Sequence, residues 1–222
     1  MNEATPKKVL TYRPEVFEVE DVESAKRIIL TPEVGTSTQE RWEDETPYLA
    51  NEIGQALGLN GTSCVIDYGC GIGRIAKQLI ERYGCAVVGV DISTSMRQLA
   101  PGYVGSTRFA ACAPEMLDQM VAQGFRATHA CACWVIQHCA LPEIDLARID
   151  SALASGGRLF VLNNNHRCVP TDQGWANDGL SIEALLTEKF DKVAKGRLPE
   201  VITTAEIANA SFTMTLRKRE LL

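Results

Sequence analysis

Val65-Ile66-Asp67-Tyr68-Gly69-Cys70-Gly71-Ile72-Gly73 is followed, at the end of Val87-Val88-Gly89-Val90, by Asp91. The first stretch reads as a buried strand running into a glycine turn that opens a helix. The second reads as the next strand, delivering a carboxylate to the same crevice, where it can accept hydrogen bonds from both hydroxyls of a ribose. The flanks agree: Ile75, Ala76, Leu79, Ile80 and Tyr83 fall on one helical face, Gly84 supplies a stop, and Ala86 to Val90 suits a strand covered on both faces. The pattern predicts a nucleotide-like cofactor site. A plain strand-to-helix turn without a ligand is the bland alternative, and the flanking pattern argues against it.

The spacing chooses among cofactors. A dinucleotide turn needs G-x-G-x-x-G with a pyrophosphate at the helix N-terminus. Here the spacing is G-x-G-x-G, Arg74 stands where the third glycine would fall, and Asp67 precedes the turn. A carboxylate beside a diphosphate is unfavourable, so NAD is disfavoured. S-adenosylmethionine fits better, because Gly69 and Gly71 let the backbone approach the ligand. Asp67 can then face the ammonium side and Asp91 the ribose.

Across Asp67 to Gly73 the chain resembles the class I S-adenosylmethionine-dependent methyltransferases, whose first motif reads (D/E)-x-G-x-G-x-G. The resemblance implies an α/β Rossmann-like fold. Its doubly wound, mostly parallel seven-stranded sheet would have the order 3-2-1-4-5-7-6, with the last strand antiparallel. It also implies a cofactor set of Asp67, Gly69, Cys70, Gly71, Asp91, Ile92, Ala113, Glu115 and Trp134. An acidic residue often follows the third strand in that family; Ala113 breaks this pattern, which leaves Glu115 or backbone groups for the adenine amine. Glu115 has an equally good reading as a first-turn carboxylate facing the helix dipole.

Runs near 63–68, 86–91, 107–112, 128–134 and 157–163 read as five parallel strands, with helices near 73–83, 95–100, 114–123, 141–154 and 181–190. The tail offers two more strands, Asp191 to Leu198 and Ser211 to Arg217, as a terminal hairpin. Residues 1–60 are expected to form a helical arm, folded as a lid over the core at 61–222. In it, Val22 to Leu30 and Thr38 to Glu45 look like separate helical pieces. Thr46-Pro47 looks like the start of a further helix that ends at Gly58.

A net charge of −6 argues against a nucleic-acid or anionic-membrane footprint, which needs clustered Lys and Arg. No run approaches the roughly 20 apolar residues of a membrane span, and the segment with Glu3, Lys7 and Lys8 lacks the apolar core of a signal peptide. A cytoplasmic protein acting on a small molecule is expected. Eight cysteines contain no C-x-x-C pair, so reduced, mostly buried thiols and no metal are the default. Trapping of a soft metalloid by Cys70, Cys112, Cys131 and Cys133 is a remote alternative.

The fourth strand leads into Cys133-Trp134-Val135-Ile136-Gln137-His138, similar to the Gln-His ending of many small-molecule methyltransferases. It lacks the Asn-Pro-Pro-Tyr, Asp-Pro-Pro-Tyr and Pro-Cys segments that would suit a nucleobase or glutamine. His138 is the candidate base, with a helix-capping imidazole as the alternative. The polar segment after strand five, with Asn164, His166, Arg167 and Trp175, is where acceptor specificity would be built, or else an ordinary solvated loop. Trp42 joins that acceptor set from the arm. An NAD-binding dehydrogenase-like protein and a non-catalytic S-adenosylmethionine-binding scaffold stand as the competing readings.

Overall fold

The computed structural model describes residues 10–220; the first nine residues of the expected arm and the last two of the core lie outside it. The elements in order are α1 (Val22–Ile29), α2 (Thr38–Leu57), β1 (Cys64–Tyr68), α3 (Arg74–Tyr83), β2 (Ala86–Val90), α4 (Thr94–Val104), β3 (Phe109–Cys112), α5 (Pro114–Ala122) and β4 (Ala127–Cys133). There follow α6 (Pro142–Ala152), β5 (Leu153–Asn164), β6 (Val169–Thr171), β7 (Gly174–Ala176), α7 (Ile182–Lys189), β8 (Phe190–Gly196), α8 (Ala205–Ala210) and β9 (Ser211–Lys218).

Seven strands form one sheet in the order β3-β2-β1-β4-β5-β9-β8. β1 to β5 pair in parallel, and β9 runs antiparallel to both β5 and β8. As the sixth and seventh strands of this sheet in chain order, β8 and β9 give the expected 3-2-1-4-5-7-6 arrangement. Strand alternation divides the core. Ile66, Tyr68, Ala130 and Val161 meet Leu117, Leu146, Ile149 and Leu186 of α5, α6 and α7. Val65, Val87, Cys131 and Leu162 meet Leu49, Ile53, Ile75 and Leu79 of α2 and α3. Each such Leu or Ile contributes about 1.5–3 kcal/mol by burial.

Two expectations are corrected. The pieces at 38–45 and 46–57 are a single helix, α2. Its capping box is Ser37 with Glu40: the Glu40 N–H donates to Ser37 Oγ at 3.2 Å, and the Ser37 N–H donates to Glu40 Oε2 at 2.7 Å. Pro47 lies inside this helix. The bond it forgoes belongs to the carbonyl of Glu43, a solvent-exposed residue, so water can take that place. Second, the polar segment after β5 is no plain loop: β6 and β7 pair as an antiparallel hairpin. The arm adds a further rung to it, because Tyr12 bridges Thr171. The Arg13 N–H donates to Pro170 O at 3.0 Å, and the Asp172 N–H donates to Thr11 O at 3.0 Å.

Candidate active site

β1 ends at Tyr68, and the chain then turns through Gly69, Gly71 and Gly73 with φ of 72°, 54° and 84°, a region L side chains seldom adopt. A Cβ at Gly69 would stand 2.1 Å from Val135, and one at Gly71 2.6 Å from Ile29 of the arm. The turn is fastened to the end of β2. The N–H groups of Gly69 and Cys70 donate to Val90 O at 2.6 and 3.1 Å, and that of Gly73 to Cys70 O at 2.8 Å. The Gly71 N–H donates to Asp91 Oδ2 at 2.7 Å, while Ser93 N–H donates to Asp91 Oδ1 at 2.9 Å. Burial raises the Asp91 carboxyl above its usual range, against the pull of those two bonds. Since the turn spends these four N–H groups inside the protein, it offers them to no pyrophosphate.

A cavity of about 300 Å³ opens over this turn. Gly69, Gly71, Asp91, Ile92, Glu115 and Trp134 line one part of it. Trp134 carries φ of 62°, the one described non-glycine residue in the left-handed region, and its indole N–H has no partner among the described residues. Three other members of the expected cofactor set stand behind the wall. Asp67 alternates to the opposite face of β1 from Tyr68 and caps the first turn of α3, accepting the Ala76 N–H at 3.2 Å and the Cys131 thiol at 3.6 Å. Burial pushes its carboxyl up to about 6. Cys70 is buried beneath the turn, and Ala113 is the N-cap of α5, whose first residue Pro114 reaches the cavity instead. Arg74, in the place of a third glycine, is buried with its guanidinium 5.6 Å from the Trp42 ring and donates to Thr46 Oγ1 at 3.2 Å.

His138 lines the cavity, but both ring nitrogens have neighbours. Nδ1–H donates to the Cys168 carbonyl at 2.6 Å, which leaves Nε2 as the acceptor facing the Gln137 amide at 3.3 Å. Burial lowers its pKa, so the ring is neutral near pH 7. The Trp175 ring packs against it, tilted by 56° with centroids 5.3 Å apart, and Phe17 of the arm completes a trio at 5.7 Å from His138 and 6.2 Å from Trp175.

The remaining acceptor candidates point elsewhere, and the expectation for them is corrected. Arg167 is 1% exposed: it donates to both oxygens of Asp178 and to the carbonyls of Ile136 and Ala140, bracing the loop below the cavity. Asn164 donates to Cys168 Sγ, His166 faces solvent, and Trp42 is buried with its indole N–H on Tyr103 OH at 3.3 Å. In their place stand residues the sequence reading passed over, Tyr12, Phe17, Ile29, Tyr68, Asp145 and Arg148. A signal existed for part of this wall: Leu141, Ile144, Asp145 and Arg148 follow the i, i+3, i+4, i+7 spacing of one helical face, and all four line the cavity.

The fit to S-adenosylmethionine rests on this donor set. Asp91 retains lone pairs for ribose hydroxyls, Trp134 carries an unused donor, and Ile92 offers an exposed apolar face.

A mostly parallel sheet of this order, with a glycine turn and a carboxylate at the carboxyl ends of its parallel strands, defines a nucleoside-binding Rossmann-like protein. A family model described as a methyltransferase domain matches residues 36–200, and the chain belongs to that family. It is 32% identical over 137 residues to a trans-aconitate 2-methyltransferase of Paracidovorax citrulli, covering 59% of this chain and 50% of that protein. It is also 32% identical over 107 residues to an N-demethylindolmycin N-methyltransferase of Streptomyces griseus, covering 46% of this chain and 44% of that one. The chain thus spans about half the length of these relatives. Its fold is similar to that of geranyl diphosphate C-methyltransferase from Streptomyces coelicolor A3(2), solved with Mg2+, geranyl diphosphate and S-adenosyl-L-homocysteine. The TM-score is 0.61 at 13% identity, covering 93% of this chain and 96% of that one.

Proposed function

We propose that the chain transfers a methyl group from S-adenosylmethionine to a small-molecule acceptor by in-line displacement. The observation that carries this reading is the Asp91 carboxylate, oriented by two backbone N–H groups beside Gly71 at the cavity wall. S-adenosylmethionine supplies an electrophilic methyl on a sulfonium: the acceptor lone pair forms the new bond as the S–CH3 pair returns to sulfur. The chain's task is then to hold the two reactants in line and exclude water.

In this reading Asp91 holds the ribose, Ile92 and Glu115 flank the adenine, and Gly69, Gly71 and Trp134 bound the methionine end. The arm acts as a lid. Tyr12, Phe17, Ile28 and Ile29 at the cavity wall support that role, as does Glu18, which accepts from the Thr94 and Ser95 N–H groups at 2.8 and 2.9 Å. His138 orients the acceptor rather than taking its proton, since proton abstraction would require Gln137 to release Nε2. Among the described residues no helix is long and apolar enough to cross a membrane. All eight cysteines are unpaired, which supports a reducing, cytoplasmic setting.

The test is calorimetric titration with S-adenosylhomocysteine and, separately, NADH, followed by an acceptor screen read by mass spectrometry. S-adenosylhomocysteine should bind, NADH should not, and at least one acceptor should gain a methyl. Binding without any turnover would favour a scaffold; NADH binding would favour a dehydrogenase.

A further inference from the structure

Resting on the methyltransferase reading, we infer that the acceptor is a ring-bearing molecule that enters uncharged or cationic, and that anionic acceptors are turned away. The charge at the cavity wall is the first ground. Among the described residues the lining holds a single permanent cation, Arg148, against three carboxylates, of which Asp91 and Glu115 serve the cofactor in that reading and Asp145 is left to the acceptor. That guanidinium is already committed. Nε and Nη2 donate to the two oxygens of Asp118 at 2.8 and 2.9 Å, and Nη1 to Tyr68 OH at 3.2 Å and Asp145 Oδ1 at 3.4 Å. A tricarboxylate or diphosphate would therefore surrender its hydration to a wall with no free cation, beside the Asp145 carboxylate of its own sign. Such an unpaired like charge is how a site rejects a competitor.

The other histidine and tyrosines do not alter this balance. Both His138 nitrogens face hydrogen-bonding neighbours and the ring is neutral, while burial pushes the Tyr12 hydroxyl up to about 12. Shape supplies the second ground. Phe17 and His138, from separate parts of the chain, bring their rings together at the cavity wall, with the Trp175 ring behind them. Leu141 and Ile144 expose apolar surface at the same wall. These groups favour a flat, apolar body over a small polyanion.

Charge flow in the reaction points the same way. When a neutral nucleophile such as a free-base amine takes the methyl, the positive charge leaves sulfur and arrives on the acceptor, which later releases a proton to water. The Asp145 carboxylate at the wall stabilises that developing cation. With an anionic acceptor the two charges would cancel and the wall would gain nothing.

A matched pair of ligands reads the sign of the cavity: 2-phenylethylamine and 3-phenylpropionate share a ring and a chain but differ in charge. Each is titrated by calorimetry into the full chain saturated with S-adenosylhomocysteine, with trans-aconitate and pyrophosphate as polyanionic probes. The amine should bind about tenfold or more tighter than the phenylpropionate, and the two polyanions should give no heat. Leu141→Lys, which sets a free cation at the wall, should narrow or reverse that ratio. The proposal is overturned if phenylpropionate or either polyanion binds as tightly as the amine, or if the amine does not bind at all. It is also overturned if Leu141→Lys leaves the ratio unchanged. Failure of S-adenosylhomocysteine to bind overturns the methyltransferase reading itself, and the acceptor class with it.

Discussion

Asp91 serves the turn and the proposed ligand together, and the two services can be separated. Asp91→Ala should weaken S-adenosylhomocysteine binding by about 1.5–3 kcal/mol, more than about tenfold in Kd by calorimetry. It should also lower the melting temperature, because the Gly71 and Ser93 N–H groups lose their acceptor. Asp67 gives a different signature. Its folded carboxyl is pushed up to about 6 from 3.8, so its contribution to stability is full below about pH 3.8 and is lost as pH rises through about 6. Urea titrations of Asp67→Asn against the parent should remove that decline, on the order of 2–3 kcal/mol across the window. Gly69 and Asp91 were legible in the sequence because a strand, a positive-φ turn and the next strand fix them within one local unit. The places of Arg167 and Asn164 are not legible there, because residue type cannot tell a side chain that braces a loop from one that faces a ligand. Only tertiary partners such as Asp178 decide it.

Elements differ in how much of their cause is local. The five parallel strands could be read from apolar runs buried on both faces, and the terminal pair from alternation in Phe212, Met214 and Leu216. The β6–β7 hairpin is not legible in the sequence, because its strands are three residues long and the rung that Tyr12 adds comes from far away in the chain. In the sequence α2 reads as two pieces, because Thr46-Pro47 is a sound helix start when read alone. The stronger Ser37–Glu40 box upstream prevails, and the buried Arg41–Glu45 pair at 2.7 Å ties the turns just before and around the proline together. Pro47→Ala, which restores the missing N–H within a helix that already exists, should stabilise the protein by about 1–3 kcal/mol in urea unfolding. Ser37→Ala should cost about 1 kcal/mol by the same measurement.

On the scale of the whole molecule, a ligand held between the arm, the glycine turn and α6 must stabilise all of them together. At a hundredfold excess over its Kd, S-adenosylhomocysteine should add about 2.7 kcal/mol, an upward shift of about 5–10 °C in a thermal melt. A shift near zero would mean that the folded chain does not bind S-adenosylhomocysteine in preference to the unfolded one. The roof of the cavity also sets a timetable for synthesis. The backbone groups at 170–172 follow their partners at 11–13 off the ribosome on the order of ten seconds later at ordinary elongation rates. Until then Tyr12 and Phe17 hang as uncovered apolar surface on the nascent chain, so this stretch is the one on which a chaperone would act.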